Sequence, residues 1–266
     1  MRTDSVADLN PSRTNWNIEA KILSIAYRRD FFMKRVLILA DEKGDRIEAT
    51  YVLKHSEKNI PKHVYEGVWY SIKDFRVIKP VLPERNTNHT YQIKVDEKTS
   101  MMRIAPLSSK EYYHFEDFSH VLKEIVPVDN SYDFYGSIID VGELKEEDSK
   151  MDEYGNPYRV NGLVFQMING RNERISCRIR GLGAHNFLRE WRSKGYNITY
   201  KTHPVFCVLR FWRVSTYHGK PCITNDDEGD SGASRTFLNP TNTGLENHKI
   251  SSEFAANYHF RVSSEE

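Results

Sequence analysis

A chain of 266 residues with 39% hydrophobic content can bury one large core or two of roughly a hundred residues each. No apolar run approaches the ~20 residues of a membrane span, and residues 1–14 are polar without a signal-peptide apolar region, so no membrane partner and a soluble intracellular protein are expected. The net charge of +1 hides a partition: residues 16–104 carry 17 Lys/Arg against 12 Asp/Glu and residues 159–225 carry 12 against 2, whereas 105–131 and 226–266 are acidic, at 2 against 5 and 3 against 8. Two basic modules separated and followed by acidic segments point to a polyanion-binding surface.

In chain order, residues 1–15 read as a disordered lead to a first module spanning 16–105. Its alternating stretches 17–27 and 36–40 are strands around the connection 28–35. Glu42-Lys43-Gly44-Asp45 reads as a hairpin turn with Gly44 placed for a positive φ, and 46–53 return as the third strand. The polar stretch 57–66 reads as a short helix stopped at Gly67, and 68–78 and 91–95 complete five strands. Residues 106–131 read as a linker holding a short packed helix around Phe115, Phe118 and Val121. The second module, 132–240, has strands at 134–141, 162–168, 174–180, 205–214 and 220–225. Its helix, 184–193, puts Phe187, Leu188 and Trp191 on one face. Residues 143–157 are acidic and read as a loop, and 241–266 as a mobile tail.

The two modules repeat one another. Asp45-Arg46-Ile47 matches Glu173-Arg174-Ile175 at an offset of 128, and Phe75-Arg76-Val77 matches Trp212-Arg213-Val214. Upstream, 18–25 lies against 134–141, with the difference in offset absorbed by the acidic loop. Five strands with a helix between the third and fourth is the order of the OB-fold. The expected fold class is therefore all-β with short helices, as two tandem OB-fold Greek-key barrels.

Such barrels bind oligonucleotides across their second and third strands, with bases stacked on aromatics and phosphates paired with Lys or Arg. In the second module Cys177 and Ile179 form the inward phase of the third strand, which sends Ser176, Arg178 and Arg180 outward. The fourth strand sends Arg213, Ser215 and Tyr217 outward, and Lys220 opens the fifth. In the first module the outward phase is Glu48, Thr50, Val52 and Lys54, a weaker surface. Its candidates shift to Arg28, Arg29, Phe32 and Lys34 in the 28–35 connection and to Arg76 and Lys79. Phe31 and Phe32 could stack on bases or fill the core.

Catalytic residues are not expected. The chain has no phosphate-cradling glycine loop, no His-x-x-x-His pair, and neither Ser nor Cys in a nucleophile context. Cys177, Cys207 and Cys222 lie in strand-like runs without metal-ligand spacing and read as buried hydrophobes. Asp226-Asp227-Glu228-Gly229-Asp230 lacks the spacing of a calcium loop. No metal and no cofactor are expected.

Trp16-x-Ile18-x-Ala20-Lys21-Ile22, the string 41–50, His89-x-Tyr91-x-Ile93 and the closing Arg235-Thr236-Phe237-Leu238-Asn239-Pro240 together resemble the large subunit of replication protein A, in the flavour of its plant relatives with tandem OB-folds. The likeness runs from about Trp16 to Pro240. It implies two DNA-binding domains, a nuclear location and single-stranded DNA as ligand, in replication, repair or recombination. It also implies further replication protein A-like subunits or nuclear proteins as partners. The family's third-strand stacking aromatics fall at Val52 and Arg180, so both are missing here, whereas a fourth-strand aromatic falls at Tyr217 and a DNA-contacting arginine at Arg213. Lower affinity than the family's is the consequence. The likeness omits the family's N-terminal recruiting domain and C-terminal zinc-bearing OB-fold, so the chain is not expected to replace the full subunit. The rival expectations are a degenerate pair serving as a protein-interaction adaptor, or binding of RNA or telomeric single strand.

Overall fold

A computed structural model describes residues 3–29, 33–52, 60–61, 63–80, 82–151, 157–225 and 232–241. The chain forms two compact units. The first takes the described residues of Met1–Tyr112 with Asp129–Ser131 and Ser231–Ala233; the second takes those of Tyr113–Val128, Tyr132–Asp230 and Ser234–Glu266.

The first unit is built from β1 (Trp16–Arg29), β2 (Met33–Ala40), β3 (Arg46–Val52), β4 (Trp69–Ile78), β5 (Gln92–Lys94) and β6 (Ser100–Arg103). The sheet order is β1-β2-β3-β5-β4-β6, and β1 pairs β4 as well, closing a five-strand ring. A parallel β3–β5 pair among antiparallel neighbours completes the OB-fold pattern. β1 bulges between Ile22 and Ser24, which lets one long strand serve two partners. Period-two burial sends Ile18, Ala20, Ile22, Ile47, Ala49 and Ile72 into the core.

Three expectations for this unit are corrected. Residues 3–15 are ordered rather than disordered: Val6 and Leu9 are 0% and 2% exposed and join the barrel core. Asp41 Oδ2 accepts from the Val6 N–H at 2.9 Å, and the Trp16 indole donates to the Asn10 carbonyl at 3.1 Å. The connection 28–35 is mostly strand, because β1 extends to Arg29 and β2 begins at Met33, in cross-strand register with it. In the stretch 57–66, the described residues Ile60, Pro61 and His63 to Glu66 are not helical; 57–59 and 62 lie outside the described residues.

The second unit repeats the ring with β7 (Ser131–Val141), β9 (Pro157–Ile168), β10 (Arg174–Arg180), β11 (Val205–Tyr217) and β12 (Lys220–Thr224), ordered β7-β9-β10-β12-β11. β13 (Arg235–Leu238) pairs with β11 as β6 pairs with β4, a strand added outside the ring in each copy that sequence reading missed. The acidic segment 143–157 is not simply a loop, since β8 (Lys145–Met151) pairs antiparallel with the start of β9. Its charges suit an edge strand, where one side of the backbone faces no further strand.

Helix α1 (Phe118–Leu122) belongs to this barrel rather than to a linker: Phe118 and Val121 are buried in its core. Helix α2 (Leu182–Ser193) sits between β10 and β11 and buries Ala184, Phe187 and Trp191, with the Phe187 ring stacked 4.9 Å from Phe165. Short α3 (Tyr196–Thr199) follows the left-handed Gly195. The expected mobile tail lies, beyond Thr241, outside the described residues.

The repeated phrase has a physical origin in one turn made twice. Asp41 Oδ1 accepts the N–H groups of Lys43 and Asp45, each at 3.0 Å, and Asn169 Oδ1 accepts those of Arg171 and Glu173, each at 3.0 Å. Gly44 and Asn172, 128 apart, both take a left-handed backbone, with φ of 93° and 66°. Glycine adopts that conformation freely and asparagine tolerates it better than most residues.

Candidate nucleic-acid interface

β10 alternates as its sequence requires. Ile175, Cys177 and Ile179 are buried, and Arg174, Ser176, Arg178 and Arg180 take the other face, partly exposed. Arg178 stands opposite Val164 of β9 on one side and Thr224 of β12 on the other, and Thr224 in turn stands opposite Arg213 of β11. Directly paired residues share a face, so Arg178, Thr224 and Arg213 form one row, its two arginines about 10 Å apart at the backbone. Arg180 is set by a two-way bond with Asn225: its N–H donates to Asn225 Oδ1 at 2.9 Å, and Asn225 Nδ2 donates to its carbonyl at 3.1 Å.

β11 and β12 are joined by His218 and Gly219, with φ of 49° and 75°. Two positive values make the primed hairpin turn whose twist matches the flanking strands. This places Tyr217 opposite Lys220, which is exposed, and sets the His218 ring 4.1 Å from that of Tyr217. The Arg178 guanidinium carbon lies 4.9 Å from the Tyr217 ring centroid, within cation–π range.

A groove of about 410 Å³ runs over this face. Arg178, Arg180, Tyr217 and His218 line it, as do Lys145, Glu143 and Glu146. Glu146 is ion-paired with Arg159 across the β8–β9 hairpin. Gly142 also borders it, and a Cβ there would stand 2.9 Å from the Val164 carbonyl oxygen. Burial pushes the Cys222 thiol up to about 11, against the pull of Arg178 in the other direction, so it is neutral at physiological pH. Cys177 and Cys207 are fully buried, and burial raises their thiols too.

The structure thus gathers Arg178, Arg180 and Tyr217 in one groove, with Arg213 in the Arg178 row and Lys220 across the turn. Lys145 and His218 were missed from sequence. Lys145 is masked there by the acidic residues around it, and His218 was legible as half of a His-Gly turn.

In the first unit the matching row is Thr50, Lys94 and Arg76 across β3, β5 and β4, at the positions of Arg178, Thr224 and Arg213. Lys94 is exposed and was missed from sequence. Arg76 is exposed but spends its charge on Asp96, at 2.7 Å. Arg28 and Lys34 pair across β1 and β2, with Val52 continuing their row. Lys79 is exposed beyond β4, Arg29 is placed by its backbone opposite Met33, and Phe32 and Lys54 lie outside the described residues.

Glu48, expected on the outward surface, is only 1% exposed. The β4–β5 connection folds over it: the Asn86 N–H donates to Glu48 Oε1 at 2.8 Å, and Arg85 lies 4.0 Å from its other oxygen. Part of the face an oligonucleotide would cross is therefore occupied in this barrel.

Comparison with known proteins agrees with this architecture. A domain of unknown function, DUF223, matches residues 7–124. The chain is similar to a chain in the structure of a replication protein A heterotrimer bound to ssDNA, at 16% identity and a TM-score of 0.55, over 99% of the present chain and 56% of that one. The likeness is one of fold. The present chain spans just over half the length of that relative. Weaker likenesses are to a murine DNA binding protein bound with ds DNA, at 9% identity and a TM-score of 0.38 over 84% of this chain and 94% of that one. Another is to an OB domain from Methanosarcina mazei, at 19% identity and a TM-score of 0.31 over 39% and 84%. No curated protein matches the sequence.

Arg178, Arg180 and Tyr217 lie on the face of a closed OB-fold barrel that this fold uses for oligonucleotides. Chemically, the arrangement offers two guanidinium groups for phosphate and one phenol for a base.

Proposed function

We propose that this chain binds single-stranded DNA without catalysing a reaction, mainly through the outward face of its second barrel. The observation that carries this reading is the groove holding Arg178, Arg180 and Tyr217 on β10 and β11. Guanidinium groups there neutralise phosphates, and a partly exposed phenol offers an aromatic group to unpaired bases. A nuclear role in replication, repair or recombination, with further replication protein A-like subunits or nuclear proteins as partners, belongs to the same reading; the sequence resemblance and the shared fold support it.

The test is titration of a labelled ~20-mer oligothymidine at several salt concentrations, with wild type and with Arg178→Ala/Arg180→Ala/Arg213→Ala. Single-strand contacts each contribute about 0.7 to the slope of log affinity against log salt, so losing three flattens it by about 2 and weakens binding at low salt. Binding that the triple variant leaves unchanged would remove this face as the site. Competition by RNA or duplex DNA equal to that by unlabelled oligothymidine would replace single-stranded DNA as the ligand.

A further inference from the structure

Arg178 and Tyr217 are in contact before any ligand arrives, with the guanidinium carbon 4.9 Å from the ring centroid, and both line the groove. A guanidinium placed over a phenol ring is attracted by the ring's quadrupole. A base laid directly on the ring face that Arg178 covers would have to expel the guanidinium and lose that contact. A base laid on the guanidinium keeps it and adds a second planar contact, which arginine makes with unstacked bases.

Resting on the reading of this groove as a single-strand site, we infer that Arg178 and Tyr217 act as one composite stacking platform, with the guanidinium plane of Arg178 taking a nucleobase and Tyr217 backing it. Arg178 then has two functions, charge and plane, and only the first can be supplied by lysine. The platform is tolerant of base identity, since every base has a π-face, and it selects single strands because duplex bases are already stacked on one another.

The experiment compares an oligothymidine with an abasic oligodeoxynucleotide of equal length and charge, for wild type, Arg178→Lys and Tyr217→Leu. Wild type is expected to prefer the base-bearing strand by about 5- to 140-fold, the range expected for one stacked base. Arg178→Lys is expected to lose most of that preference, its affinity falling more for the oligothymidine than for the abasic strand, and a circular dichroism spectrum matching wild type shows that the variant is folded. Tyr217→Leu is expected to lower the preference as well, by removing the backing ring. Equal binding of the two strands by wild type, or a preference that survives Arg178→Lys, overturns the platform while leaving phosphate binding in the groove intact. Failure of wild type to bind either strand overturns the platform together with the single-strand reading.

Discussion

Asp117 shows how one side chain ties the start of the second barrel together. It caps α1 by accepting the Ser119 N–H at 3.1 Å, and it is ion-paired with Arg171 in the turn before β10. Burial raises its carboxyl, the largest single influence, but the Ser119 bonds and the Arg171 charge together outweigh burial and hold it below the usual range. A group whose folded value lies below its unfolded one adds stability that is complete above the unfolded value, near pH 4, and is lost as pH falls through the folded value. Asp117→Ala is therefore expected to lower stability by about 1 kcal/mol at pH 7, as cap removals do, and by less at pH 3. Urea unfolding at both pH values checks this; an equal loss at both would assign the effect to packing rather than to the charge.

At the scale of elements, the β8–β9 hairpin distinguishes the second groove. It brings Glu143 and Glu146 to the rim of a site floored by Arg178 and Arg180. Carboxylates there oppose phosphate approach, and exposed charges are screened within about 10 Å at 0.1 M salt. Glu143→Gln/Glu146→Gln is expected to raise oligothymidine affinity by about 2- to 10-fold at low salt and hardly at all near 0.5 M, measured by anisotropy.

Much of this architecture was legible beforehand, for reasons that differ by element. β10 reads correctly to the residue because its apolar and polar positions alternate without interruption, and Arg178 and Arg180 follow from that phase. The turn at Asp41 and its twin at Asn169 were legible because one hydrogen-bonding pattern demands the same residue types twice. β8 was not, because a strand at a sheet edge needs no apolar phase, and its acidic sequence looks like solvent-exposed loop. Val6 and Leu9 were missed because two apolar residues in a polar stretch have no periodicity to reveal that they cap a barrel. Glu48 was misplaced because alternation gives the face of a residue, not what a distant loop lays over it.

For the whole molecule, the consequence is two barrels of one fold with unequal surfaces. In the first, Arg76 is paired with Asp96 and Glu48 lies beneath the β4–β5 connection; in the second, the equivalent face holds an open groove. Arg76→Ala/Lys94→Ala is expected to weaken oligothymidine binding by about 2- to 5-fold, whereas Arg178→Ala/Arg213→Ala, at two positions of the matching row, is expected to weaken it at least tenfold. Equal losses in the two pairs would show that both barrels grip alike.

The division into two units also carries an order in time. The first unit includes Ala233, whose carbonyl accepts from the Ser24 hydroxyl at 2.8 Å across 209 positions of chain. A ribosome adding about 5–20 residues per second delivers Ala233 roughly 10–40 s after Ser24. Through that interval the buried hydroxyl on β1 lacks its native acceptor. The unit begun first is thus among the last parts of the molecule to gain all its native hydrogen bonds, and a nascent chain paused before residue 233 leaves the Ser24 hydroxyl, beside the bulge of β1, without that acceptor.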